Sequence, residues 1–371
     1  MDWKVKYIDY PFQYRKMRTE ILDTIDHVLG RGDVMLRQQL KDFELHLAEF
    51  VGTKYGVGVS NCTDGLHLSL RAAGIGRGDE VITVSHTFVA TGAAIHHAGA
   101  APVLVDIGDD HNMNVDLVEE AITGRTKAII PVHLNGRLCN MDKLMKIAER
   151  HDGLVVIEDA AQALGASYNG IKGGAFGVAG CFSFYPAKLL GAYGDAGAVV
   201  TNSREMAERL NLLRNHGRTE NNDVAEWSFN CRMDNLHAAI LDLKLARVPE
   251  WIERRREIAS LYHQDLAGIR QLVLPPPPDQ GGPYFDVFQN YEIEAEDRDG
   301  LFAHLKKSGI EALISWGGKG VHQFRALGLS HFNLPRTEEM FKKVLMLPMH
   351  CELTDDQVRY MSESIKSFYR E

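Results

Sequence analysis

Short apolar segments alternate with longer segments of helical length along the first half of the chain. The strand-like segments are residues 80–84, 102–106, 128–133 and 154–158. The stretches between them are long enough for helices, for example at 115–122 and 141–151. Strands that alternate with helices favour parallel pairing, with the helices covering both faces of the sheet. The sequence therefore predicts an α/β fold with a mainly parallel sheet sandwiched by helices and its reactive strand ends at one edge.

The second half begins with helices and then breaks. Residues 204–215 and 233–246 are predicted to be helices, and residues 249–266 a longer helix that leaves the large domain. Four prolines at 275–278, followed by Gly281-Gly282-Pro283, mark a loop because these residues interrupt regular structure.

The segments after this loop predict a small α+β domain. They are residues 284–294, 298–309 and 310–315, and a terminal helix after Thr354. We therefore expect a large domain over residues 1–248, and a linker helix with a small C-terminal domain over residues 249–371.

Composition favours a cytoplasmic protein. Apolar residues make up 45% of the 371, yet no uninterrupted apolar run approaches the roughly 20 residues that span a bilayer. The segment from Met1 to Tyr7 is charged and lacks the apolar centre of a secretory signal. The five cysteines are scattered and form no CxxC pair, which favours reduced thiols over a zinc site or a disulfide framework. We expect no membrane segment and no bound metal.

Charge argues against a nucleic-acid partner. The net charge is −9, from 50 acidic and 41 basic residues. Basic residues cluster only at Arg254-Arg255-Arg256, inside a helix-like segment, and we interpret this cluster as a solvated helix face. Nucleic-acid binding would need a broader basic field. An anionic small-molecule substrate stays compatible with the acidic balance, since a local pocket can still bind a diphosphate.

One lysine follows an apolar strand and a proline. The segment from Gly180 to Lys188 breaks at Pro186, and residues 191–197 then bring three glycines before a second β-branched strand. A second apolar strand ends on carboxylates at Glu158 and Asp159. Strand ends of a parallel sheet meet at one edge, so an amine and an acid are expected to meet there.

An amine and a carboxylate in this arrangement suit pyridoxal phosphate. Lys188 would form a Schiff base with the cofactor aldehyde, and Asp159 would keep the pyridine nitrogen protonated. Lys188 would then also shuttle a proton, provided that burial and neighbouring cations lower its pKa from about 10.4. Taken singly, such a lysine is typical of a solvated loop, and such an aspartate of a helix cap.

A third segment suits the cofactor phosphate. After a short β run ending at Ser60 and Asn61, the donors at Cys62, Thr63 and Asp64 would open a helix, whose N-terminus favours a dianion. The alternative is plain helix capping by Asn61 or Thr63.

Two further side chains complete the predicted cofactor site. Ser183 would add a hydroxyl to the phosphate site. Phe88 follows another strand and would lie against the flat ring of the cofactor, although the same residue also fits a core position.

These residues resemble the DegT-type nucleotide-sugar aminotransferases, a family of fold-type-I pyridoxal-phosphate enzymes. The resemblance is collinear over nearly the whole chain. Its blocks are residues 43–44, 60–70, 78–82, 87–91, 98–106, 131–134, 158–162, 182–197, 213–217 and 230–234. It implies an aspartate-aminotransferase-like large domain and a homodimer with shared active sites.

The resemblance also implies roles residue by residue. Lys188 is the Schiff-base lysine, Asp159 contacts the pyridine nitrogen, Gln162 contacts the ring hydroxyl, and Phe88 stacks on the ring. The phosphate contacts that it implies are Thr63, Asp64, Ser183 and, from the neighbouring subunit, Asn230.

The sequence departs from the family pattern at several positions. Cys62 replaces a usual glycine, which would slightly reshape the phosphate loop, and Leu189 follows the lysine where asparagine is common. Asn135 replaces a tyrosine, Gln289 replaces a frequent histidine, and the sequence of residues 315–322 differs from that usual in the family. Neither Lys188 nor Asp159 is affected, so the departures concern the sugar pocket and not the cofactor chemistry.

The resemblance implies amination of a nucleoside-diphosphate-linked keto sugar by L-glutamate, as in the biosynthesis of amino sugars for polysaccharide or O-antigen. The amino-acid sequence of residues 185–195 favours a 3-keto sugar over a 4-keto sugar as the substrate. Trp316, Lys319 and His322 are candidate sugar or diphosphate contacts, and each also fits a structural role.

The sequence also bears on three other functions. A dehydratase of the same fold carries histidine in place of the Schiff-base lysine, so Lys188 argues against it. Amination of a cyclitol, an inosose without a nucleotide, is an alternative function that the sequence leaves open. A cofactor-binding regulator ranks last, because no helix-turn-helix or basic DNA-reading segment is visible.

Overall fold

The computed structural model describes residues 3–219, 221, 223–279 and 281–370, so Met1 and Asp2 of the charged N-terminal segment lie outside it. The helices are α1 (Tyr10–Gly30), α2 (Gln38–Val51), α3 (Cys62–Ala72), α4 (Val89–Ala98), α5 (Met141–Arg150), α6 (Arg204–Arg214), α7 (Asn235–Leu245), α8 (Val248–Leu266), α9 (Arg298–Lys307), α10 (Pro335–Lys343) and α11 (Asp355–Arg370). Within the described residues, none of these helices combines the length and the apolar character that crossing a membrane requires.

The strands are β1 (Tyr55–Val59), β2 (Glu80–Val84), β3 (Ala101–Val105), β4 (Thr126–Ile129), β5 (Val155–Asp159), β6 (Ser167–Tyr168), β7 (Ile171–Lys172), β8 (Ala179–Ser183), β9 (Gly197–Thr201), β10 (Leu272–Val273), β11 (Tyr284–Phe285), β12 (Tyr291–Ala295) and β13 (Val344–Leu347). Short 3₁₀ turns lie at Val115–Leu117, Glu119–Ala121, Leu134–Gly136, Ser315–Gly317, Val321–Gln323 and Arg325–Leu327.

Seven strands form the main sheet in the order β1, β9, β8, β5, β4, β2, β3. Strands β8, β5, β4, β2 and β3 pair in parallel, whereas β9 runs antiparallel to both β1 and β8. The predicted α/β fold with a mainly parallel sheet is therefore confirmed. One reversed strand is the exception.

Both faces of this sheet are buried, which explains why its strands are apolar without interruption. In β2, Ile82 and Val84 pack into the core on one face, and Val81 packs into the core on the other. Helices α2 and α5 contribute to the first core, for example Phe43 and Leu144. Helices α3, α4 and α6 contribute to the second.

A second, smaller sheet has the order β10, β12, β13 and is antiparallel throughout. It packs with α8, α9 and α11 around its own core, in which the Tyr262 and Tyr291 rings lie with their centroids 4.7 Å apart. The predicted α+β character of the C-terminal segments is thus observed. Strand β13 was not foreseen, and residues 284–285 pair with β6 instead of joining this sheet.

The predicted helix at residues 115–122 is wrong in type. The segment forms the two 3₁₀ turns Val115–Leu117 and Glu119–Ala121. Its two buried side chains, Val115 and Val118, are three residues apart. That spacing matches the three residues per turn of a 3₁₀-helix, so the short segment buries both side chains without an α-helix.

The interpretation of Arg254-Arg255-Arg256 as a solvated helix face is wrong for Arg255. Its side chain lies between α8 and the segment before β12, and the residue is only 4% exposed. It donates hydrogen bonds to the carbonyl oxygens of Phe288 and Gln289, at 3.0 and 2.9 Å. A buried guanidinium needs such acceptors, and carbonyl oxygens are not visible in a pattern of side chains.

An ion network joins the two sheets. His111, in the loop after β3, has Nδ1 3.0 Å from Glu292 and Nε2 2.9 Å from Glu294, both on β12. Arg336 of α10 pairs with the same Glu294. Because each ring nitrogen faces a carboxylate, both must carry a proton. Burial lowers the pKa of His111, but the two hydrogen bonds outweigh burial and raise the pKa to about 9.

We expect this network to make the stability of the protein fall at alkaline pH. The pKa of His111 is about 9 in the folded protein and about 6.5 as its ordinary value, so its contribution is complete below pH 6.5 and disappears as pH rises through 9. The shift corresponds to about 3 kcal/mol. Urea unfolding at several pH values should show this loss in the wild type, and a flatter profile in His111→Gln.

His331→Gln is the matched control, because His331 is exposed, its ring lies tilted beside that of Phe332, and it has no carboxylate contact among the described residues. Equal pH profiles for the wild type and His111→Gln would contradict the role of the network.

Candidate active site

A cavity of about 470 Å³ opens at the carboxyl ends of the parallel strands. Eight of the predicted site residues line it: Cys62, Thr63, Phe88, Asp159, Gln162, Ser183, Lys188 and Trp316. They come from segments far apart in the sequence, and the sheet gathers them because parallel strands end at the same edge. The cavity is therefore the candidate active site.

The N-terminus of α3 forms one end of the cavity. Asn61 caps the helix by accepting a hydrogen bond from the Asp64 amide at 2.9 Å. The Asp64 carboxylate in turn accepts hydrogen bonds from Ser60 and Asn61. The first helical hydrogen bond runs from the Gly65 amide to Asn61, so the amides of Cys62 and Thr63 point out of the helix and suit an anion. Asp64 contributes its side chain to the cap and does not line the cavity.

Gly197 allows this helix end to approach the sheet. A Cβ atom at Gly197, the first residue of β9, would lie 2.4 Å from the Asn61 carbonyl carbon and 2.6 Å from the Cys62 nitrogen. Only glycine fits such a contact with backbone. Ser183 ends the neighbouring strand β8, opposite Gly197 in register, and brings a hydroxyl to the same place.

Asp159 lies at the end of β5 and is 5% exposed. Its Oδ2 accepts a hydrogen bond from Thr91 at 2.8 Å, and its Oδ1 accepts one from the Ala161 amide at 3.2 Å. Burial raises the pKa of Asp159, while the Thr91 bond and the charge of Lys188 act in the opposite direction. A cation placed against this carboxylate would favour its ionised form.

Lys188 lies in a turn between β8 and β9, where its amide donates to the Tyr185 carbonyl at 2.8 Å. Burial lowers the pKa of its amine, and the charge of Asp159 opposes that shift. The shift favours the neutral amine, which is the form that attacks a carbonyl. A perturbed amine and a perturbed carboxylate in one cavity are typical of a catalytic centre.

The orientation of Gln162 is fixed by two amide donors. Its Oε1 accepts hydrogen bonds from the Asn135 backbone amide at 2.7 Å and from Asn290 Nδ2 at 3.3 Å. Because Oε1 is occupied as an acceptor, Nε2 is the atom that is available to donate into the cavity. The bond from Asn135 is donated by its backbone, so it does not depend on the side chain in which the sequence departs from the family pattern.

Phe88 forms the N-terminal boundary of α4 and is 58% exposed. An aromatic ring on the cavity wall suits a flat ligand, and this exposure argues against the core position that the sequence left open.

His133 and Glu158 support the floor of the cavity. His133 Nδ1 accepts a hydrogen bond from the Cys139 amide, so Nε2 carries the proton and donates to Glu158 at 2.9 Å. Glu158 also accepts from the amides of Gly174, Phe176 and Gly177, at 2.7 to 2.8 Å. Every oxygen of this fully buried carboxylate is thereby satisfied.

Three more predicted residues lie outside the cavity wall. Asn230 is exposed in the segment before α7 and pairs by its backbone with Asn215. Lys319 is exposed as well. His322 is buried, with Nδ1 2.6 Å from Ser85 and Nε2 3.3 Å from Glu338. Trp316 alone of the predicted sugar contacts lines the cavity, where its ring packs edge-on against His86.

Sequence reasoning did not single out Tyr7, Asn290 and Glu292, which also line the cavity. Tyr7 OH lies 3.4 Å from Asn290. Acidic residues that alternate with apolar ones in β12, as Glu292 and Glu294 do, are usually typical of a solvated strand face. The structure buries both because His111 and Arg336 neutralise them.

The donor set fits pyridoxal phosphate. The cavity combines an amine of lowered pKa, a buried carboxylate, a helix N-terminus, a donor amide and an aromatic ring, which correspond to the aldehyde, pyridine nitrogen, phosphate, hydroxyl and face of this cofactor. Once bound, the cofactor supplies the electron sink for transfer of an amino group.

Comparisons with known proteins agree with this fit. A pleiotropic regulatory protein from Geobacillus stearothermophilus is 42% identical over 371 residues, covering 99% of each chain. A dTDP-3-amino-3,4,6-trideoxy-alpha-D-glucose transaminase from Streptomyces venezuelae is 38% identical over 369 residues, covering 98% of this chain and 96% of the relative. The crystal structure of S. venezuelae DesV in complex with a ketimine intermediate matches with a TM-score of 0.95 at 38% identity, covering 99% of both chains.

The family assignment covers almost the full chain. The model of the DegT/DnrJ/EryC1/StrS aminotransferase family matches residues 15–366. Structurally similar proteins have been solved with pyridoxal phosphate and with pyridoxamine phosphate bound. The chain therefore belongs to the DegT/DnrJ/EryC1/StrS aminotransferases and is a pyridoxal-phosphate-dependent sugar aminotransferase.

Proposed function

We propose that this enzyme converts a nucleoside-diphosphate-linked 3-keto sugar to the 3-amino sugar, with L-glutamate as the amino donor. The observation that carries the chemistry is the placement of Lys188 and Asp159 in one cavity beside the N-terminus of α3. The 3-position is supported by the Streptomyces relative, whose name specifies a 3-amino sugar, and by the wording of residues 185–195.

In this proposal Lys188 holds the cofactor aldehyde and then moves a proton. Burial lowers the pKa of its amine and so favours the neutral form, which both roles require. Asp159 holds the proton on the pyridine nitrogen, and Thr91 and the Ala161 amide hold the carboxylate in place.

The remaining cofactor contacts follow from position. The amides of Cys62 and Thr63, with the Ser183 hydroxyl, would bind the phosphate. Gln162 would donate to the ring hydroxyl, and Phe88 would cover the ring.

Asn230 is exposed on its own chain, so its proposed phosphate contact belongs to a homodimer with shared sites. Trp316 is the sugar contact that the cavity wall supports best, because it is the predicted sugar residue that lines the cavity.

Three other assignments make different predictions in a substrate panel. Turnover of a free inosose would favour a cyclitol aminotransferase, and preference for a 4-keto nucleotide sugar would move the site of amination. The name of the Geobacillus relative raises a regulatory role. Turnover of a nucleotide-linked 3-keto sugar with L-glutamate would establish the proposed enzyme activity, and its absence across the nucleotide-sugar panel would overturn it.

Replacing Lys188 should abolish the reaction. In Lys188→Ala, transamination should fall by about 10²- to 10⁴-fold or more, because both the attachment of the cofactor and the proton transfer depend on this amine. Borohydride should fix the cofactor on Lys188 of the wild type, as measured by peptide mass spectrometry, and should fix none on the variant.

Lys172→Ala is the matched control, since burial also lowers the pKa of Lys172, but that amine contacts the Phe50 carbonyl and lies outside the cavity wall. Near-normal turnover by Lys188→Ala would end the assignment.

Replacing Asp159 by Asn should reduce turnover strongly and cofactor occupancy only slightly. The substitution nearly keeps the shape but removes the charge that holds the pyridine proton. Asp106→Asn is the control, because Asp106 also follows a strand, is buried and accepts backbone hydrogen bonds, from Arg336 and Thr337, away from the cavity. Stability should fall in the control while turnover per folded enzyme persists. Unchanged turnover in Asp159→Asn would reduce Asp159 to a strand-end cap.

Shared sites should allow two inactive chains to complement each other. Lys188→Ala lacks the amine, and Asn230→Asp should repel the phosphate of the neighbouring subunit. A mixed dimer places both lesions in one site and leaves the other site intact. Co-expression should therefore restore part of the activity. Demonstrated heterodimers without any recovery would return Asn230 to a structural role.

A further inference from the structure

The carboxamide of Gln289 bridges the two peptide groups that flank Lys188. Its Oε1 accepts a hydrogen bond from the Leu189 amide at 2.8 Å, and its Nε2 donates one to the Ala187 carbonyl at 3.0 Å. The orientation of the carboxamide is fixed, since an amide can only donate and a carbonyl can only accept. One side chain therefore holds the backbone on both sides of the lysine.

The segment that carries Lys188 needs such support. Between the end of β8 and the start of β9 the chain forms turns and bends without a helix or strand. Its internal hydrogen bonds include those from the Lys188 amide to Tyr185 and from the Ala192 amide to Phe184. In such a loop, the position of a side chain is only as well defined as the position of the backbone that carries it.

Gln289 is itself held by buried groups. The residue is 6% exposed, and its carbonyl accepts a hydrogen bond from the 4%-exposed Arg255 at 2.9 Å. On the other side, Gly136 approaches so closely that a Cβ atom there would lie 2.8 Å from the Gln289 nitrogen. The Phe288 backbone just before it has a φ of 49°, a conformation that few non-glycine residues adopt. The position of Gln289 is thus determined from several directions.

We propose that Gln289 is a positioning residue that aims the Lys188 amine at the cofactor. The proposal rests on the proposed role of Lys188. Gln289 precedes β12, so its two hydrogen bonds also connect the loop that carries Lys188, in the main sheet, to the start of the small sheet. Misplacement of a reacting group by about 1 Å costs on the order of 10² in rate, so two hydrogen bonds at the base of the lysine are expected to matter for turnover.

A carboxamide suits this task because it does not titrate. A neutral imidazole also offers one donor and one acceptor, but an imidazolium offers two donors and would lose the bond from the Leu189 amide. Glutamine therefore keeps both bonds across the working pH range, and histidine would keep them only above an imidazole pKa of about 6.5. This difference in pH dependence distinguishes a positioning role from a purely structural one, which would not make the rate of the histidine variant depend on pH in this way.

The test compares Gln289→Leu and Gln289→His with the wild-type holoenzyme. The half-reaction with L-glutamate should slow by about 10- to 10²-fold in Gln289→Leu, with a smaller change in KM. Without any substrate, the pH midpoint at which the absorbance of the Lys188-bound cofactor changes should shift. In Gln289→His, the rate should be close to that of the wild type at pH 8 and fall below it at pH 5.5.

Gln357→Leu is the matched control. Its carboxamide also bridges two backbone groups, accepting from the Thr354 amide at 3.0 Å and donating to the Lys4 carbonyl at 3.5 Å, on α11. It should change stability without changing either the absorbance midpoint or the rate of the half-reaction.

Two results would overturn the proposal. One is a Gln289→Leu enzyme whose absorbance midpoint and half-reaction rate match those of the wild type. The other, decisive if Gln289→Leu does not fold, is a Gln289→His enzyme whose pH profile runs parallel to that of the wild type. Failure of borohydride to fix the cofactor on wild-type Lys188 would instead contradict the proposed role of Lys188, so the two failures are distinguishable.

Discussion

The buried carboxylate of Glu158 is the interaction on which the active site depends. It lies one residue before Asp159 and accepts hydrogen bonds from His133 and from three backbone amides of residues 174–177. A buried anion is costly unless every oxygen is paired. Residues 174–177 must therefore pack over β5 in a single arrangement. Successive side chains of a strand point to opposite faces, so the burial of Glu158 also fixes the direction in which the Asp159 side chain points.

The cavity suits a ligand that carries charged groups. Burial moves the pKa values of Lys188 and Asp159 towards their neutral forms. A ligand with a protonated ring nitrogen and a phosphate would restore charge balance at the carboxylate and at the helix N-terminus. Binding should then stabilise the folded chain, and the gain should grow with the logarithm of the cofactor concentration once the site is saturated, because the unfolded chain offers no such site.

The sequence predicts the parts of this molecule that follow local rules. Periodicity predicted the strands of the main sheet, and the strand ends pointed to Lys188 and Asp159, which both line the cavity. Contacts between distant segments were not predictable: Arg255 is buried by carbonyl acceptors, and Glu292 is buried by a histidine from the loop after β3. Such partners have no signature in local patterns, since each side chain alone is typical of a solvated face.

The reversed strand β9 has a consequence for the lysine loop. A parallel successor to β8 would require a crossover to the far edge of the sheet, and residues 184–196 would then be anchored at one end only. Because β9 is antiparallel to β8, Ser183 and Gly197 pair directly, and the loop leaves and re-enters the sheet at the same place. The amine is thus carried on a closed loop whose ordering entropy is lost during folding. Little of that entropy remains to be lost when the cofactor binds.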